Sequence, residues 1–209
     1  MFQTKSFQCV MYLAAFMAFV GILSSAAAGE PWARIEEDWE LKLHQPDALS
    51  NSPQLTTYLT PDAGRPSVYF QLQLNHAADA DFSGGGFRVS AIANDAAVQE
   101  ARSGTRALLT HDGDLISWTS VMTTRNDQIF FAIKDGVSDS WGEFGGPEYL
   151  LQIPAGEISD LSGYTPRQSI DDVDIGFGKN RIESLTLQRI RAYREDGSFL
   201  TVEAKLEAF

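Results

Sequence analysis

Along most of the chain, apolar and polar residues alternate with a period of two, in short runs separated by Gly, Pro, Asn and Asp. That pattern predicts half-buried β-strands joined by turns. Ile35, Glu37, Trp39, Leu41 and Leu43 share one face of a first strand, and Glu36, Asp38 and Glu40 share the other. Residues 54–60, between Pro53 and Pro61, form a second. In VYFQLQLN, Val68, Phe70, Leu72 and Leu74 face one way, and Tyr69, Gln71, Gln73 and Asn75 the other. Strands are further expected over 87–93, 105–110, 115–122, 128–134, 149–153, 173–177, 181–194 and 198–206. NDAAVQEAR at 94–102 reads as a short helical turn capped by Asn94 or Asp95. TRND at 124–127 reads as a hairpin turn, and 141–147 as a glycine-rich loop.

Between 181 and 194 the alternation slips. Leu185 and Leu187 occupy odd positions, whereas Ile190 and Ala192 occupy even ones. A one-residue change of phase predicts a β-bulge or a break near Gln188. About ten strands with almost no amphipathic helix predict an all-β fold, an antiparallel β-sandwich of concanavalin A-like or jelly-roll type.

The N-terminus departs from this pattern. Lys5 precedes the apolar run Val10–Leu23, and Ala26-Ala27-Ala28 offers a small-residue cleavage site. Residues 1–28 therefore read as a signal peptide and 29–209 as a single domain that is secreted, periplasmic or cell-surface. The rival reading is an uncleaved anchor, since the apolar stretch could just span a bilayer. No basic stop-transfer cluster follows it, which favours cleavage and leaves the exported domain off the membrane. Cys9 is the chain's single cysteine and precedes the cleavage site, so the exported domain has no disulfide and no cysteine-ligated zinc.

Charge narrows the partners. With 28 Asp and Glu against 16 Lys and Arg, the net charge is −12. A phosphate backbone needs a basic surface, so nucleic acid is excluded, and anionic membranes for the same reason. An outer-membrane barrel is excluded by the C-terminal strand, where Thr201, Glu203, Lys205 and Glu207 lie in phase with Phe209.

Four constellations could carry chemistry. Glu36, Asp38 and Glu40 have the E-x-D-x-E spacing of jelly-roll β-glucanases. However, the Cα atoms of Glu36 and Glu40 lie ~13 Å apart along a strand, whereas a retaining pair of carboxyls needs ~5 Å. So near the start of the domain, these residues read as the wet face of an edge strand, where charge blocks aggregation. Asp172, Asp174, Asn180 and Glu183 match positions 1, 3, 9 and 12 of a calcium loop, but Phe177 stands where the loop needs glycine. A looser calcium site would use Asp171 and Asp172, or Asp79 and Asp81; calcium is the one candidate cofactor.

Sandwich lectins stack sugars on exposed aromatics. Trp141 with Asp139, and Asn75 with His76 at a strand end, are the candidate ligand-binding residues; Trp32 is weaker. Trp39 and Trp118 read as core. No G-x-S-x-G, H-E-x-x-H or phosphate loop is present, so no catalytic residue is assigned.

Two resemblances follow from these runs. Ile175-Gly176 followed by LQRIRAY at 187–193 resembles the last strands of concanavalin A-like and laminin-G-like sandwiches. The laminin-G calcium ligands do not map onto the chain. WELKL, PQLTTYLTP, VYFQLQLNH, SWGEFGG and NRIESLTLQRIR together resemble an uncharacterised family of secreted bacterial proteins. That resemblance implies export and a β-sandwich, and no activity. The expectation is a non-catalytic binding module whose partner is an extracellular glycan or an envelope component. A structural surface protein is the alternative, and a polysaccharide-cleaving hydrolase comes third. Oligomeric state is not legible.

Overall fold

The computed structural model describes residues 30–44, 55–64, 67–74, 87–102, 112–175 and 182–209. The signal segment, Asn75, His76, Asp79, Asp81 and the strand expected at 105–110 lie outside the described residues.

Among those residues eleven strands form two antiparallel sheets. They are β1 (Trp32–Leu43), β2 (Leu55–Leu59), β3 (Val68–Leu74), β4 (Phe87–Ala93), β5 (Ala96–Arg102), β6 (Leu115–Arg125), β7 (Gln128–Ser138), β8 (Gly142–Phe144), β9 (Leu151–Pro154), β10 (Ile182–Arg194) and β11 (Phe199–Glu207). The larger sheet runs β11-β10-β1-β6-β7-β8, with β9 also on β7; the smaller runs β2-β3-β4-β5. The apolar phases of both face inward. Phe70 of β3 stacks on Phe131 of β7 with centroids 4.8 Å apart, which joins the two layers. Trp39 and Trp118, each 1% exposed, stack at 6.3 Å within the core.

The expected bulge is present. Asp38 pairs with Arg189 and Trp39 with Leu187, leaving Gln188 as the extra residue. Its effect extends along the strand. Leu185 and Leu187 point into the core before it, and Ile190 and Ala192 after it. Arg189 and Arg191 are thereby turned to the outer face, opposite Asp38 and Glu36.

Several expectations are corrected. β1 is not an edge strand: it lies between β10 and β6, hydrogen-bonded on both sides. The segment 94–102 is no helix but the turn and second strand of a β4–β5 hairpin. Asn94 (φ 52°) and Asp95 (φ 62°) supply its two left-handed positions; Asn and Asp tolerate them because their short polar side chains bond locally. The supposed loop at 141–147 contains β8. Where a strand was expected from 173, the described residues show a single bridge, Asp174 to Thr56, that covers the free edge of β2.

Among the described residues the one α-helix, α1 (Pro166–Asp171), is short. Thr165 caps it, accepting from the Gln168 N–H, and Pro166 fills its first turn. The segment leading into α1 is tied to the sheets by Leu161 N–H to Trp32 O (2.8 Å) and Ala63 N–H to Gly163 O (2.9 Å).

Candidate functional site

Three constellations of polar side chains stand out, one on each outer face and one inside.

On the outer face of the large sheet, Glu36 and Asp38 of the E-x-D-x-E run are paired with cations and Glu40 with an amide. Glu36, 1% exposed, accepts from Lys134 (2.9 Å), Arg191 (2.7 Å), Arg34 and the Tyr193 hydroxyl (3.4 Å). Asp38 accepts from Arg189, Arg191 and Thr119, each at 2.7 Å. Glu40 accepts from bulged Gln188 at 3.2 Å. Burial pushes the Glu36 carboxyl up, but Lys134 and Arg34 outweigh it and hold the group below its ordinary value. A carboxylate so neutralised is a poor proton donor. A small hollow of about 260 Å3 opens beside it, lined by Asp38, Glu40, Ser117, Thr119 and Arg189 among others.

Inside, Glu37 projects from the opposite face of β1. It too is 1% exposed. Tyr164 donates to one carboxyl oxygen at 2.7 Å and the Trp39 indole N–H to the other at 2.9 Å. Ser169 of α1 faces the same group. Here burial dominates, and the pKa is raised because the hydrogen bonds from Tyr164 and Trp39, with the Ser169 hydroxyl nearby, do not replace the lost hydration of a full charge. The Tyr164 phenol is pushed well up by burial and by the neighbouring Glu37. Glu36 and Glu37 are thus shifted in opposite directions. They are separated by the sheet itself, and cannot act together on one substrate.

The third constellation lies on the outer face of the small sheet. β2 and β3 send Leu55, Leu59, Phe70, Leu72 and Leu74 inward. Alternation therefore turns Tyr58, Thr60, Tyr69, Gln71 and Gln73 outward. Tyr58 and Tyr69 are half-buried, with ring centroids 5.8 Å apart and planes inclined at 56°. They line a hollow of about 410 Å3 with Thr60 and two residues of the α1 region, Gln168 and Asp172. The Tyr58 phenol is raised by burial, then by Asp174 and Tyr69; the Gln71 side chain pulls it back, and Asp172 raises it further. Farther along the same sheet, Gln73, Arg88, Ser90, Glu100 and Arg102 form an interlocked polar lattice across β3, β4 and β5. Arg88 Nε donates to Gln73 at 2.8 Å, and Ser90 and both arginines meet Glu100 at 3.3–3.4 Å.

Of the residues singled out from sequence, Trp141 and Asp139 sit at the β7–β8 turn, on the other sheet. Trp141 is half-buried, edge-on to Phe144 at 5.6 Å. Asp139 donates its backbone N–H to buried Asp114 at 2.8 Å. Trp32 is buried at 5% beneath the Arg194 guanidinium, 4.5 Å from its ring centroid. Asp171 pairs with Arg167 at 2.8 Å, and Asp172 accepts from the Gln168 amide. Among the described residues no three acidic, His or Cys side chains gather as a metal site. No helix among them is long and apolar enough to cross a membrane.

The tyrosine pair escaped the sequence reading. Its signal was available: Tyr69 lies in phase with Gln71 and Gln73, and Tyr58 with Thr56 and Thr60. An aromatic in the solvent-facing phase is a candidate contact residue. That the two meet follows only from the β2–β3 register, in which Tyr58 opposes Gln71, the next outward residue after Tyr69.

No protein-family profile matches the chain, and no curated protein matches it. Among solved structures, it is similar to the CBM2 module of the Lactobacillus casei BL23 phage J-1 evolved Dit. Identity is 15% and the TM-score 0.36, over 64% of this chain and 51% of that one, so the match spans about half that chain's length. Scytalido-glutamic peptidase matches at 9% identity and TM-score 0.38, over 84% and 82% of the two chains. Peanut lectin matches at 8% and 0.33, over 85% and 71%. Similarity at this level carries nothing about ligand or activity, and the sandwich assignment rests on the two sheets themselves.

Proposed function

We propose that this chain is an exported, non-catalytic binding module that takes a glycan on the outer face of its small sheet, seated against Tyr58 and Tyr69. The observation that carries the reading is the hollow of about 410 Å3 walled by the two rings and edged by Thr60, Gln168 and Asp172. Its volume lies in the range of ligand pockets, roughly 300–1,000 Å3. Aromatic faces suit the apolar C–H faces of a pyranose, and amide, hydroxyl and carboxylate groups suit its hydroxyls.

Absence of catalysis is part of the proposal. Its support is the pairing of Glu36 and Asp38 with arginine and lysine, which leaves neither poised to protonate a leaving group. Export rests on residues 1–28. Calcium enters as a condition of the test, because Asp172 borders the hollow.

The test is binding of the purified protein to a broad polysaccharide panel, with and without calcium, alongside Tyr58→Ala and Tyr69→Ala. The incubated glycans are then analysed for cleavage. The expected result is retention by the wild type, no cleavage, and about a tenfold loss in each variant, the equivalent of about 1.4 kcal/mol. Binding that survives both substitutions would refute the site. New chain ends in the glycan would refute the non-catalytic reading.

A further inference from the structure

The charge around the tyrosine hollow points to a narrower ligand class, and this step rests on the glycan-binding reading above. We propose that the hollow selects a cationic saccharide, an amino sugar with a free ammonium group, over its neutral N-acetylated counterpart.

Three observations converge. The hollow is lined by two aromatic side chains, Tyr58 and Tyr69, with centroids 5.8 Å apart and planes inclined at 56°, so a small group seated in it meets both rings. A cation over such faces is drawn by the ring quadrupole, more strongly as it loses water. The charged groups that act on the Tyr58 phenol are Asp174 and Asp172, both anionic. Among the described residues the nearby cations pair with other carboxylates: Arg167 with Asp171 at 2.8 Å, and Arg88 and Arg102 with Glu100 farther along the sheet. The Asp172 carboxylate lines the hollow itself and accepts from a neutral partner, the Gln168 amide. Finally, the whole chain carries a net charge of −12, which raises the local concentration of a polycation and repels uronate or sulfated glycans.

The chemistry contrasts with that of the opposite sheet. There Glu36 and Asp38 are matched by guanidinium or ammonium groups, and an amine would find those two partners already taken. At the tyrosine hollow, aromatic rings and a carboxylate bonded to a neutral amide coincide, which is what an alkylammonium needs and what a neutral acetamide does not use.

The experiment compares glucosamine oligomers with N-acetylglucosamine oligomers of equal length by calorimetry. The purified protein is used with Asp172→Asn, Asp174→Asn and Tyr69→Ala. Asp174 contributes its backbone to the bridge with Thr56, so its side-chain amide leaves that bridge intact and serves if Asp172→Asn misfolds. The expected result is about tenfold tighter binding of the free amine, consistent with a partly desolvated cation over two rings. Either Asn variant should bring that ratio towards one, and Tyr69→Ala should weaken both sugars. Equal affinity for the two oligomers in the wild type overturns the inference and leaves the module reading standing. A preference that persists in both Asn variants overturns it too, since the diffuse acidity of the chain would then suffice. Binding of neither oligomer, with another glycan retained on Tyr58 and Tyr69, refutes the amino-sugar inference alone. No glycan bound at all refutes both.

Discussion

Glu37→Gln is expected to flatten the decline in stability from weakly acidic to weakly alkaline pH. In the unfolded chain this carboxyl loses its proton around its ordinary value of 4.5, whereas burial in the folded protein holds the proton to higher pH. Between those two values the native state binds more protons than the unfolded state. Its stability is therefore full below the unfolded value and falls as pH rises, until the folded carboxyl itself ionises. The steepest slope one proton can produce is about 1.4 kcal/mol per pH unit. For a domain of this size that is a fall in melting temperature of about 3–5 °C per unit. Glutamine keeps the carbonyl that accepts from Tyr164 or Trp39, and cannot ionise. Glu36 does not confuse the result. Its pKa is lowered, so its contribution is present above 4.5 and is lost only as pH falls through the lower folded value. The assay is thermal unfolding of wild type and variant at intervals from roughly pH 5 to 8. A constant offset between the two carries no weight, because the amide changes the local hydrogen bonding. Convergence or crossing of the curves with rising pH is the expected result. Parallel curves across the window would refute the claim that burial raises the Glu37 pKa.

Three other outcomes follow from the same geometry. Tyr164→Phe removes one of the donors to Glu37 and should cost about 1–3 kcal/mol in denaturant unfolding, the cost of leaving a buried acceptor unpaired; a neutral result would mean that water replaces the hydroxyl. Arg191→Ala removes a ligand from both Glu36 and Asp38 and should cost about 1.5–3 kcal/mol, whereas Lys42→Ala breaks a pair with Glu183 whose partners are 45% and 50% exposed and should cost under about 1 kcal/mol. Gly136→Ala should destabilise β7–β8, because its Cβ would lie 2.5 Å from the Phe144 carbonyl oxygen and 2.6 Å from the ring; a cost of about 1–3 kcal/mol is expected from thermal or denaturant melts.

Alternation along the chain was enough for the β class, the inward residues of most strands and the bulge at Gln188, because strand periodicity is a local property and a slip in it is visible within a few residues. It also placed Trp39 and Trp118 in the core. Sheet order is not local. Nothing between Trp32 and Leu43 distinguishes an edge strand from a central one, since either can carry a polar outer phase. Only the pairing with β10, some 150 residues later, decides that Glu36 and Asp38 are enclosed by arginines rather than washed by solvent. The same holds for Glu37. Its parity marked it as inward, but its tolerance there depends on Tyr164, 127 residues away. The tyrosine hollow combines both kinds of information. The outward phase of Tyr58 and Tyr69 is written in the sequence, while their separation of 5.8 Å and the wall supplied by Asp172 come from strand register and from the docking of α1 on β2. Sequence thus determined which way each side chain points along its strand. The tertiary structure decided what each one meets, because the partners are set by closure of chain segments far apart in sequence.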